Sequence, residues 1–305
     1  MYSENPGLDA YRFTRATLMN LVARYTPDLY VHLKQDTGRG SGLVDPDKTA
    51  DYFLRCYDDY LEKLDLDEGQ AGDFLRDKVV LEYGPGDILG VALLMYAHGA
   101  KLVQCVDRFP LERASSRNIQ TYLALLDKLP PAQRERASRA FNTVGDPASG
   151  LNPLMIRYSV TRDGLINQPA AYDLIISRSV LEHVNCLEKT IDDMATALRP
   201  GGIAVHKVDL KSHGLDRYQP LDFLTWPDWL YQMMNSHKGS PNRWRVDTYR
   251  KLVLRNGLRI RTLAETGSLA PEAIERIRSK LPPRFRDIPT DELSWLGFWM
   301  VLEPG

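Results

Sequence analysis

The feature that most constrains this chain is an alternation of short apolar runs with helical patterns between Lys78 and Leu210. KVVLEY stops at glycines and leads into ILGVALLMYAHG, and KLVQCVD leads into LERASSRNIQTYLALLDKL. A further helical stretch, PPAQRERASRAFNTV, precedes the strand LMIRYSV. YDLIISRS follows as a strand, LEKTIDDMATALRPGG as a helix closed by Pro and Gly, and GIAVHKVDL as another strand. This rhythm predicts a parallel sheet covered by helices on both faces, the doubly wound α/β class. From Val246, VDTYRKLVLRNG reads as a helix and GLRIRTLAE and SWLGFWMVLE as strands. The stretch joining those two strands holds only the short helix PEAIERIRSKL, so they predict an antiparallel edge.

Two flanking regions break the pattern. Residues 10–35 and 48–66 read as helices, with Leu18, Leu21, Val22 and Tyr25, then Tyr52, Leu54, Tyr57 and Leu61, at mixed three and four spacing. DTGRGSGLVDPDK between them reads as an exposed loop. Residues 211–245 are rich in Trp, Tyr, Pro and His and read as an insertion.

Composition argues against several functions. The 305 residues carry 39 Lys plus Arg against 40 Asp plus Glu, a balance that offers no global field to nucleic acid or an anionic membrane. Cys56, Cys105 and Cys186 form no CxxC pair, which argues against a disulfide scaffold or zinc knuckle and for reduced thiols in the cytoplasm. MYSENPGLDAYRFTR carries charges where a signal peptide needs an apolar run, and no stretch reaches the ~18 apolar residues of a membrane span.

The turn after the first strand carries the chemistry. In EYGPGDILG, Gly84 and Gly86 let the backbone approach a ligand closely, and Asp107, twenty-one residues after Gly86, ends the second strand where a carboxylate can accept from ribose hydroxyls. The glycines at 84, 86 and 90 read GxGxxxG, not the GxGxxG expected for dinucleotides. Glu82 would repel a pyrophosphate and suits a cationic ligand end, against a nicotinamide oxidoreductase.

These residues resemble the class I S-adenosylmethionine-dependent methyltransferases. VVLEYGPGD is similar to their first motif, CVD to their second-strand acid, YDLIISRSVLEH to their fourth strand and its loop, and LRPGG to their turn before strand five. The resemblance covers residues 78–210, with 246–302 completing seven strands. It implies a methyltransferase domain over 76–305, a helical extension or lid over 1–75, and an insertion over 208–245 forming part of an acceptor pocket. It implies that Glu82, Gly84 and Gly86 hold the methionine portion of S-adenosylmethionine and that Asp107 holds the ribose. Arg108 and Phe109 would lie beside the adenine, Asp163 would match the polar residue after strand three, and Ser177 and Arg178 would border the cofactor.

Acceptor chemistry is expected beyond strands four and five, because ligands of such sheets sit at the carboxyl ends of the strands. His183 follows strand four. Some quinone and RNA-end methyltransferases have ExxEH there and bind a divalent cation; Ser179 replaces the first Glu, so no metal is expected. HKVDLKSH, leaving strand five, brings His206, Asp209 and His213 together as a proton-abstracting His–Asp pair, as a metal site without a fixed helical spacing, or as hydrogen-bonded structure. Trp226, Trp229, Tyr231 and Trp244 read either as pocket wall or as packing against the N-terminal helices. Arg243 and Arg245 read as binders of an acceptor carboxylate or phosphate, or as ion pairs.

The expected function is methyl transfer to a small molecule, at a hydroxyl oxygen. The alternatives are a saccharide, lipid-linked, RNA or protein acceptor, or a non-catalytic cofactor-binding partner. A homo-oligomer is left open.

Overall fold

A computed structural model describes residues 5–34 and 45–305. The chain begins with α1 (Pro6–Tyr25) and α2 (Pro27–Lys34). The expected single helix over 10–35 thus starts earlier and breaks at Thr26, because Pro27 has no amide proton with which to continue the ladder. Residues 36–44 of the expected loop lie outside the described residues, whereas Pro46–Lys48 form the first turn of α3 (Pro46–Lys63). Asp45 caps that helix, its Oδ1 accepting from the amides of Asp47 at 2.9 Å and Lys48 at 3.1 Å. A further helix, α4 (Glu68–Leu75), was not expected; it starts at a capping box between Asp67 and Gln70.

The alternating part runs β1 (Val79–Tyr83), α5 (Gly90–Ala97), β2 (Leu102–Asp107), α6 (Ser116–Lys128), α7 (Pro131–Ser138), a hairpin of β3 (Phe141–Thr143) and β4 (Asp146–Leu151), β5 (Ile156–Val160), β6 (Tyr172–Arg178), α8 (Leu187–Ala197) and β7 (Leu198–Asp209). PPAQRERASRAFNTV is therefore helix only to Ser138, and its end turns at Gly145 into the hairpin. Then come α9 (Asp228–Asn235), α10 (Val246–Arg255), β8 (Leu258–Ser268), the short helices α11 (Pro271–Arg278), α12 (Pro283–Arg286) and α13 (Thr290–Ser294), and β9 (Trp295–Pro304).

Seven strands form one sheet in the order β5-β2-β1-β6-β7-β9-β8. Strand β9 runs antiparallel between β7 and β8, and the other pairs are parallel. The alternation of side chains across each strand divides the core. Val80, Val103, Leu174 and Val205 face α3, α5 and α6, while Leu81, Ile175, Ala204 and Met300 face α8 and α10. Burial on both faces explains why the central strands read as continuous apolar runs. A third cluster joins Phe223, Leu224 and Tyr231 of the insertion to Ile274, Ile277 and Phe285.

The N-terminal helices join the rest differently from α3. Phe53, Tyr57 and Tyr60 of α3 belong to the main core, but Leu18, Leu21 and Tyr25 of α1 are exposed. The buried side of α1 sets a polar anchor, Asn20, beside Ala23. Asn20 Nδ2 donates to the Met233 carbonyl at 3.0 Å and Ser236 Oγ at 3.1 Å, and its Oδ1 accepts from the His237 amide at 2.8 Å. Tyr30 of α2 donates to the Lys238 carbonyl. No described helix is long and apolar enough to cross a membrane.

Candidate active site

The carboxyl ends of β1, β2, β6 and β7 point to one side of the sheet, where the expected residues gather. Strand β1 delivers Glu82 into the core, 7% exposed. The turn that follows has Gly84 and Gly86 in the left-handed region, at φ +61° and +80°. A Cβ on Gly84 would lie 2.5 Å from the Val180 side chain, so the turn and the loop after β6 approach as closely as glycine allows. Behind it, Asp87 pairs with Arg117 at 3.0 Å, and the Leu89 amide donates to the Tyr122 hydroxyl at 2.8 Å.

Glu82 is a buried carboxylate that accepts from the Cys105 thiol, 3.8 Å away. Burial pushes its pKa up to about 8, although the Cys105 thiol and the Ala92 amide oppose this. A buried acid with no cation beside it among the described residues fits the ammonium of an amino-acid ligand. Asp107 ends β2, 9% exposed, and its Oδ1 accepts from the amides of Arg108 at 2.6 Å and Phe109 at 3.1 Å. Burial raises it to about 6 against those amides. Phe109 lies 5.8 Å, centroid to centroid, from the Tyr30 ring of α2. Asp163 is exposed on the turn after β5, where its Oδ1 accepts from the Leu165 amide at 3.4 Å beside Arg108.

The structure separates residues that the sequence grouped. Ser177 and His206 pair across β6 and β7, Oγ to Nδ1 at 2.7 Å, and neither is exposed. Burial lowers His206 to about 3, so it stays neutral. Arg178 reaches the other face of the sheet and pairs with Asp59 of α3 at 2.7 Å. Asp209 and His213 do meet, Oδ2 to Nε2 at 3.6 Å, and the His213 ring stands edge-on to that of His183 at 4.9 Å. His213 holds a left-handed φ of +50°, uncommon for a residue other than glycine. Burial raises Asp209, but His213 and Lys211 outweigh it and leave the carboxyl below its ordinary value.

Glu182, immediately before His183, was not singled out as a site residue. It is 1% exposed, and no described residue gives either oxygen a well-formed hydrogen bond. Burial pushes it well above the carboxylate range; Asp209 adds to this, and the Ser179 hydroxyl and nearby amides only partly oppose it. Glu182, His183 and His213 each bring one atom within 4.8 Å of the others, the only such group of His, Cys, Asp or Glu among the described residues. LEH pointed to its first two members; the third comes from a loop whose path the sequence does not specify.

Arg243 and Arg245 are buried, and both are engaged. Arg243 donates to Asp228 and the Trp226 carbonyl. Arg245 donates to the carbonyls of Leu210 at 2.9 Å, Leu293 at 3.1 Å and Trp295. Of the aromatics, Tyr231 and Trp244 line a cavity beside the site, and Trp229 is 65% exposed.

The sheet order, the glycine turn after β1 with its buried acid and the carboxylate ending β2 define a class I S-adenosylmethionine-dependent methyltransferase. Residues 57–263 match the model of the family described as Methyltransferase domain, and the chain belongs to that family. No curated protein matches it. Among solved structures, it is similar to an S-adenosylmethionine dependent methyltransferase from Mesorhizobium loti, at 16% identity over 75% of this chain and 91% of that one, with a TM-score of 0.43. It is also similar to geranyl diphosphate C-methyltransferase from Streptomyces coelicolor A3(2), at 13% identity over 78% of each chain, with a TM-score of 0.41. Likenesses this distant say nothing of what this chain methylates.

Proposed function

We propose that this methyltransferase delivers its methyl group to a hydroxyl oxygen of a small molecule in the cytoplasm, with His213 as base. The observation that carries this reading is the meeting of Asp209, His213 and His183 at the carboxyl ends of β6 and β7. When bound, S-adenosylmethionine supplies an electrophilic methyl group on sulfur. Glu82, Gly84 and Gly86 receive its amino-acid end and Asp107 its ribose, while Arg108 and Phe109 flank the adenine. In-line displacement depends chiefly on alignment, which the rigid strand ends provide.

A hydroxyl must lose its proton as the new carbon–oxygen bond forms, and imidazole is suited to accept it near neutral pH. Asp209 sits against Nε2 of His213 and orients the ring, so Nδ1 takes the proton. His183 limits the ring's tilt. His206, sealed beside Ser177, supports the strand. The N-terminal helices act as a lid fastened to the insertion through Asn20 and Tyr30. Supplying labelled S-adenosylmethionine with separate pools of hydroxylated, aminated and carbon-acid small molecules tests the reading. Product among the hydroxylated pool is expected, and methylation confined to nitrogen or carbon overturns it.

A second reading is favoured by the buried Glu182 carboxylate. Glu182, His183 and His213 would converge on a divalent cation that lowers the pKa of the acceptor hydroxyl, with Asp209 steadying His213. Chelation separates the two.

A further inference from the structure

Beside the turn that carries His183 lies a cavity of about 570 Å³, within the range of small-ligand sites, roughly 300–1,000 Å³. Val184 and Asn185, which follow His183, form part of its wall. Asn242, also on the wall, fixes that turn: its amide donates to the Glu182 carbonyl and its Nδ2 to the Leu181 carbonyl at 2.7 Å. Asn185 in turn accepts from Arg108 at 2.6 Å. The cavity therefore abuts both the histidine cluster and the loop after Asp107.

Its charge is unbalanced. The wall carries Arg243, Arg245 and Arg284 against Asp228 and Asp247. Arg245 is 1% exposed and tied to carbonyls. Arg243 and Arg284 both donate to the same oxygen, Oδ1 of Asp228. One carboxylate cannot neutralise two guanidiniums, and Arg243, 7% exposed, has little water to solvate its charge. Burial, then the neighbouring Arg284, lowers Arg243 to about 10. Burial also raises Asp247, which weakens the remaining acid as a counter-charge. His237, also on the wall, is lowered by its own burial and then by Arg24, Arg108 and Arg162. This surplus sits in a chain whose net charge is −1.

We propose that the cavity takes an anionic oxygen group of the acceptor, a carboxylate or a phosphate ester, with Arg243 and Arg284 as its counter-charges. Guanidinium forks match both groups in geometry. Arg243, stacked 4.3 Å from the Tyr231 ring centroid, is held in place, whereas the half-exposed Arg284 can swing from Asp228 to the ligand. The rest of the acceptor then extends past Asn242 towards His183 and His213. This inference rests on the small-molecule reading of the adjacent site.

The test uses the full chain saturated with S-adenosylhomocysteine, titrated separately with inorganic pyrophosphate and with succinate at low ionic strength. Saturable binding of at least one anion is expected, and the preferred anion distinguishes phosphate from carboxylate. Arg284→Met should weaken that binding at least tenfold, and Asp228→Asn, which removes the competing carboxylate, should tighten it. A purely structural Arg–Asp pair predicts no such opposite effects. Failure of both anions to bind, or equal binding by both variants, overturns the proposal while S-adenosylhomocysteine binding stands; loss of the latter would strike the cofactor site itself.

Discussion

The thiol of Cys105 donates to Glu82 Oε2 at 3.8 Å, across the parallel register that pairs these two residues of β1 and β2. A thiol is a weak donor and carries no positive charge, so it leaves the acid poorly compensated. The folded pKa of Glu82, about 8, stands above its ordinary 4.5. A raised folded value means that the folded chain holds the proton more tightly than the unfolded one. The stabilisation is complete below about 4.5 and is lost as pH rises through about 8. Glu82→Gln has no such proton to lose. Its stability relative to the parent, measured by denaturant unfolding without ligand, should therefore rise between pH 5 and 9 by on the order of a few kcal/mol. A difference that stays flat with pH would show that Glu82 is ionised throughout.

The cofactor site is tested by binding alone. Calorimetric titration should show S-adenosylmethionine and S-adenosylhomocysteine binding, and no binding of NAD. Asp107→Ala removes the ribose acceptor. Gly86→Val forces a branched side chain into a φ of +80°. Each should weaken affinity at least tenfold. Unchanged binding in both variants would place the cofactor elsewhere.

For the base, His213→Ala and Asp209→Ala should each lower kcat by roughly 10²-fold while cofactor affinity stays near native. The 3.6 Å contact makes the two act as a unit, so the double variant should lose little more than either single one. Near-native kcat in both singles would make the contact structural and turn attention to His183.

Turnover should survive exhaustive chelation, because His213 is assigned to proton transfer. A hundredfold loss restored by magnesium or zinc would move Glu182, His183 and His213 from base and neighbours to ligands.

Much of this architecture was legible because it rests on local pattern. The runs that became β1, β2, β6 and β7 are apolar because both faces of the sheet are covered, and Glu82, Gly84, Gly86 and Asp107 lie in order along the chain around a single turn. What remained hidden depends on tertiary path. His206 and His213 are seven residues apart, yet the strand keeps one in the core while the exit loop carries the other to His183. The apolar pattern of α1 indicated a helix correctly, but the side it buries is marked by Asn20, a polar residue whose partners lie more than two hundred positions away. The hairpin at Phe141–Leu151 escaped because RASRAFNTV suits a helix until Gly145 turns the chain back.

That long reach of Asn20 has a consequence for the order in which the molecule assembles. A chain made from its amino end exposes α1 and α2 well before residues 232–238 exist to receive them. Closing so large a loop carries an entropic cost that only late contacts offset. Leu18, Leu21 and Tyr25 meanwhile remain in water, and they are still there in the finished fold. Helices α1 and α2, though made before their partners, are thus among the last to dock, and the wall of the cavity is secured only when synthesis has passed it.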